Sequence, residues 1–137
     1  MLKIKSIKPL FTSILTTGDK YSEDMRENGI IVANKGDLKT YQTVLEVGSS
    51  VRDIKVGDKV MIDMMHFAVM KYDPNSIKND MDMNKAVKWN IPWVVIDDEN
   101  GTHDCLLISD RDVKFVFEGE EVNESIIIPN KPTIITN

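Results

Sequence analysis

Apolar residues fall along this chain in short clusters of β-branched and aliphatic side chains, separated by turn residues, with little helical periodicity. Such spacing predicts a small all-β barrel or sandwich. Strands are expected over residues 7–16, where Lys8-Pro9 suits a strand start or an edge, and at Ile30-Ile31-Val32-Ala33. A further strand is expected over 40–47, where Tyr41, Thr43 and Leu45 alternate with Gln42, Val44 and Glu46. The run Asp53-Ile54-Lys55-Val56-Gly57-Asp58-Lys59-Val60 reads as a turn feeding a strand that continues through residues 64–69. Trp93-Val94-Val95-Ile96 and Cys105-Leu106-Leu107-Ile108 flank a polar turn with Asn100-Gly101 at its centre, a strong hairpin signal. Val113-Lys114-Phe115-Val116-Phe117 supplies one more strand.

Three segments break this pattern. Residues 17–29 are polar, lack either period and are long for a hairpin connection; loops of about 12 residues or more are usually functional or disordered. Residues 71–90 are polar and methionine-bearing. A short helix over 76–89 is expected there, started by Asp73-Pro74-Asn75-Ser76 and stopped before Pro92, although Ile77, Met81, Ala86 and Val87 make a ragged stripe. The tail from Ser125 holds Ile126-Ile127-Ile128 and Ile134-Ile135 but is interrupted by prolines.

Length and composition narrow the class. At 137 residues, 42% hydrophobic and 28% charged, the chain suits one globular domain. No apolar run approaches the roughly 20 residues of a membrane-crossing helix, and Met1-Leu2-Lys3-Ile4-Lys5 alternates like the start of a strand rather than a signal peptide. The formal charge of −5 argues against a nucleic-acid partner, and between Asp97 and Glu124 ten acidic residues face only Arg111 and Lys114. A single cysteine, Cys105, excludes an intrachain disulfide framework and fits a reducing cytoplasm. Sequons at Asn100 and Asn123 are read as chance matches.

Four segments, in order, resemble the co-chaperonin (GroES) family. They are Ile7-Lys8-Pro9-Leu10; the polar loop ending in Gly29-Ile30-Ile31-Val32; Val44-Leu45-Glu46-Val47-Gly48 with Ile54-Lys55-Val56-Gly57-Asp58-Lys59-Val60; and Leu106-Leu107-Ile108-Ser109-Asp110-Arg111-Asp112-Val113. The resemblance covers about residues 4–70 and 102–118. It implies a GroES-like β-barrel over 1–118, with an insertion at about 71–101 and a C-terminal extension over 119–137. The insertion, the extension and a short connection between Gly48 and Asp53 depart from the family. The resemblance also implies a ring of like subunits, joined by edge-strand pairing, that caps a chaperonin through a mobile loop. By position Gly29, Ile30, Ile31 and Val32 would be the partner-binding residues. Several weak loops acting together on one ring give strong yet reversible capping. Ile30-Ile31-Val32 could instead be an ordinary strand start. The same barrel could also serve as a structural or decorating subunit of a large assembly such as a virus capsid.

Candidates for other chemistry are weaker. His103 and Cys105 would share one side of a strand and, with His66 or Asp104, could be imagined as a metal site or nucleophile pair. Ligand spacing and an orienting group are missing for either. There is no phosphate-loop or dinucleotide glycine pattern, so neither cofactor nor metal is expected. Met61, Met64, Met65, Met70, Met81 and Met83 could fill the core or form an adaptable binding surface. Trp89 and Trp93 read as packing over one barrel end. The expectation is a non-enzymatic, oligomeric, cytoplasmic protein whose partners are proteins.

Overall fold

A computed structural model describes residues 2–72 and 85–124. Among them are β1 (Ser13–Thr17), β2 (Met25–Glu27), β3 (Ile30–Ala33), β4 (Tyr41–Val47), β5 (Lys59–Ile62), β6 (Ala68–Tyr72), β7 (Lys85–Trp89), β8 (Trp93–Asp98), β9 (Gly101–Ser109) and β10 (Val113–Phe117). Helical geometry among the described residues is confined to two short 3-10 turns, Met64–Phe67 and Asp110–Asp112. The protein is all-β. Among the described residues no helix is long and apolar enough to cross a membrane.

Six strands form one antiparallel sheet in the order β10-β5-β4-β1-β9-β8. Its shape follows from one connection. β9 and β10 are separated in the sheet by β1, β4 and β5, about 19 Å if the sheet were flat. The residues joining them, Asp110–Asp112, form a 3-10 turn, which at about 2 Å per residue bridges roughly 8 Å. The sheet must therefore curl until these strands approach end to end. Ser109 and Asp112 fix this corner with a capping box, and Asp63 N donates to Asp112 O at 2.8 Å. The curl does not close: β8 and β10 remain the two edges, so the expected closed barrel is an open, strongly curled sheet.

Curling gives the sheet an enclosed face that carries the main core of Ile14, Val44, Val60, Ile62, Leu106 and Ile108. Alternation along β1 and β9 sends Leu15 and Cys105 to the opposite face, where they pack with Ile96 and where Ile7 adds cover. The segment before β1 is not a strand. It lies beside β8, Asp97 N donating to Ile4 O at 2.7 Å, and turns at Phe11, whose φ of 56° is unusual for a bulky side chain. Strand geometry therefore begins at Ser13 rather than at residue 7. Gly48 belongs to this corner: a Cβ there would come within 2.3 Å of Phe11 O, so only glycine lets the end of β4 pass.

Two further expectations are corrected. Residues 85–89 are not helical but form β7, paired with β6 in the register Ala68↔Trp89 to Tyr72↔Lys85; the remainder of the expected 76–89 helix lies outside the described residues. The helical stripe there was too ragged to compete with a waiting strand partner. The strand expected to run on through 64–69 is interrupted because the Asp63 side chain accepts from Met65 N at 3.2 Å and starts a 3-10 turn.

Candidate protein-binding hairpin

Between β1 and β4 the chain leaves the sheet as a long antiparallel arm. At its root Lys20 bridges Leu38, Tyr21 N donates to Asp37 O at 2.9 Å, and Lys39 N donates to Asp19 O at 3.0 Å. Both sides of the root are gripped by Gln42, a buried polar side chain at 3% exposure. Its Nε2 donates to Asp19 O at 3.0 Å and to Lys39 O at 2.9 Å. Its Oε1 accepts from Asp19 N and from the Thr17 hydroxyl, both at 2.8 Å. Only this orientation of the amide satisfies all four partners, since the flipped one sets oxygen against two carbonyls.

The arm ends in β2 and β3, joined by Asn28-Gly29 with φ of 55° and 80°. Two consecutive left-handed residues between paired Glu27 and Ile30 are the type I′ hairpin geometry, for which Asn-Gly is the preferred dipeptide. Residues 17–29 are thus the end of β1 and the first half of a hairpin, not an unstructured loop. A register shift opposite Met25-Arg26 leaves Val32 as the extra residue on β3. Met25 points inward and is buried, whereas Ile30, Ile31 and Val32 are 66%, 43% and 59% exposed. Three adjacent large apolar residues at the tip of an arm are left uncovered by the packing of the described residues.

A strap formed by residues 119–124 runs from the end of β10 back to the arm. Lys59 Nζ donates to Gly119 O at 2.7 Å; Glu121 pairs with Lys39 Nζ at 2.7 Å and accepts the Tyr41 hydroxyl. Asn123 Oδ1 accepts from Arg26 N at 2.7 Å while its Nδ2 donates to Asp24 O at 3.0 Å, and Glu124 Oε1 accepts from Gly29 N at 2.8 Å. The Lys39 ammonium, then the Tyr41 phenol, hold the Glu121 carboxyl below its ordinary value. Burial, then the bond to Glu121, push the Tyr41 phenol well up. Strap, arm and sheet border an open cleft of about 380 Å³, lined by Met25, Tyr41, Met61, Phe117 and Val122 among others. An edge-to-face row of Tyr21, Tyr41, Phe117 and Phe115, with centroids 5.9–6.4 Å apart, links the arm to edge strand β10.

The other sequence candidates lie apart from this arm. Cys105 is buried, and burial followed by Asp104 and Asp19 pushes its thiol up, away from the nucleophilic thiolate. His103 is exposed with Nε2 3.1 Å from Asp98 Oδ1. His66 sits elsewhere, pinning the two 3-10 turns with Nδ1 2.8 Å from Asp112 and Nε2 3.3 Å from Asp63. Among the described residues no group of three or more His, Cys, Asp or Glu side chains could hold a metal ion. Trp93 lies against Gly18 with Lys20 Nζ 5.2 Å from its ring centroid, while Trp89 is half exposed. Met65 is exposed and Met64 packs on the core; Met81 and Met83 lie outside the described residues. The Asn100-Gly101 hairpin forms, but its two-residue turn is Glu99-Asn100, with Gly101 following at φ 113°.

The sequence reading missed Gln42, counted among the polar positions of a strand, and the strap, whose bonds span 60 to 99 residues. Asn28-Gly29 ahead of an apolar run was the available signal for the hairpin. No model of a known protein family matches the chain, and no curated protein matches it.

Proposed function

We propose that this chain is a non-enzymatic, protein-binding subunit of an oligomeric assembly, and that Ile30, Ile31 and Val32, following Gly29, are its contact residues. The observation that carries the reading is the exposure of these three apolar residues at the end of a well-anchored arm. A solvent-facing cluster of this kind is costly unless something covers it. The more specific reading is a GroES-like co-chaperonin, several arms of one homo-oligomer capping a chaperonin. It is supported by the four-segment resemblance and by the curled sheet, whose edge strand β10 has no further strand beside it among the described residues and so suits pairing between subunits. The acidic balance of −5 supports protein rather than nucleic acid as partner, and the lone buried Cys105 suits a cytoplasmic setting.

A second reading, a structural or decorating subunit of a large assembly such as a capsid, is favoured by one feature. The tip is a hydrogen-bonded hairpin tied to Asn123 and Glu124, which suits a permanent contact of fixed geometry.

Co-sedimentation of the full chain with purified chaperonin rings and nucleotide separates the two. The co-chaperonin reading expects binding that Ile31→Asp weakens at least about 30-fold, the size of an anchor residue's contribution, without lowering thermal stability. Binding untouched by Ile31→Asp refutes the tip as the contact. No binding by the wild-type chain refutes the co-chaperonin reading.

A further inference from the structure

β2 and β3 form a sheet of their own, not hydrogen-bonded to the six-stranded one, and a two-stranded ribbon alone is marginal in water. The hairpin nevertheless stands against the domain. Of its side chains only Met25 is buried, so the packing that holds it is small.

The strap supplies the rest in a particular way. Asp24 C=O and Arg26 N–H flank Met25 on the outer edge of β2, the two groups that one residue of a neighbouring strand would take. Asn123 meets both with one side-chain amide, offering an acceptor to Arg26 and a donor to Asp24 as a residue of a neighbouring strand does with its own C=O and N–H. Glu124 then takes the Gly29 N–H, left free inside the tight turn. Side chains thus do the work of a third strand. The middle of the strap is fastened by Glu121 to Lys39 and Tyr41, and its start by Gly119 to Lys59. Bonds of this kind, near the surface, are individually weak and separable, unlike a continuous ladder.

We propose that residues 119–124 are a latch that keeps the contact hairpin ordered. Closed, it pre-organises Ile30, Ile31 and Val32 for a partner; open, the hairpin loses its order and the partner must supply it, at a cost in affinity. The inference deepens the reading of those three residues as contacts and rests on it for its consequence. The latch itself is tested with no partner present.

Backbone hydrogen exchange of the isolated full chain, read by NMR, supplies the test. Asn123→Ala should speed exchange at Arg26, and Glu124→Ala at Gly29, by about tenfold, with β1 and β9 core amides unchanged; a lost hydrogen bond is worth roughly that factor. Glu124→Gln keeps the accepting oxygen and should leave Gly29 near the wild-type rate. Unchanged exchange at Arg26 and Gly29 would overturn the latch. An equal rise at Ile14 and Leu106 would also overturn it, by showing general destabilisation. Ile31→Asp leaves every strap contact intact and should not alter exchange at Arg26, so failure of the contact reading is seen separately, in binding.

Discussion

Replacing Gln42 by leucine keeps the volume of the side chain and removes all four of its hydrogen bonds at the root of the arm. Asp19 O, Lys39 O, Asp19 N and the Thr17 hydroxyl each lose a partner. A buried polar group stranded in this way costs about 1–3 kcal/mol. Asp19 is exposed and Lys39 half-buried, so water can reach some of the four, and the apolar leucine recovers about 1 kcal/mol by burial. The net loss should be about 2–4 kcal/mol. In urea, with a slope of about 2 kcal/mol per molar for a domain of this size, the midpoint should fall by about 1–2 M. The damage should also be local: the Thr43 amide, which donates to the Thr17 hydroxyl at 3.0 Å, should exchange faster than core amides of β9. A Gln42→Leu protein within about 0.5 kcal/mol of wild type, with Thr43 exchange unchanged, would refute the claim that this amide anchors the arm.

Two other perturbations test the surrounding structure. Gly48→Ala drives a methyl against the Phe11 carbonyl at 2.3 Å and should cost about 2–4 kcal/mol by thermal or urea unfolding, since backbone on both sides must move. Acid should loosen the strap. The Glu121 carboxyl is held below its ordinary 4.5, so its contribution is fully present above that pH and lost as the pH falls below it through the lowered folded value. Amide chemical shifts of Val122 and Asn123 should therefore titrate below pH 4.5, and Tyr41→Phe, lacking the phenol that helps hold the carboxylate, should move that transition upward.

Much of the sheet was legible because its central strands are buried, β1 and β9 on both faces, and apolar runs such as Val60–Ile62 and Leu106–Ile108 report burial directly. Ser109-Asp110-Arg111-Asp112 was read only as part of a resembling segment, not as the turn whose capping box is the corner that forces the curl. Legibility failed where polar groups did structural work. Gln42 shares the inward side of β4 with Val44, yet glutamine in an alternating run reads as solvent-facing. The arm looked like a loop because a two-stranded ribbon with solvent on most of its surface needs no apolar alternation; Asn28-Gly29 alone marked its turn. Asn123 gave no local hint, since its partners lie 97 and 99 residues away. The 85–89 strand was lost for the opposite reason, a weak helical stripe overruled by pairing with β6.

That the arm exists to touch another protein is tested most directly by hydrogen exchange of residues 29–33 under three conditions: dilute chain, concentrated chain, and chain with purified chaperonin and nucleotide. These amides should be strongly protected in at least one of the last two relative to the first, and Ile31→Asp should abolish the protection. Identical exchange in all three, or protection that appears only elsewhere and survives Ile31→Asp, would contradict that role.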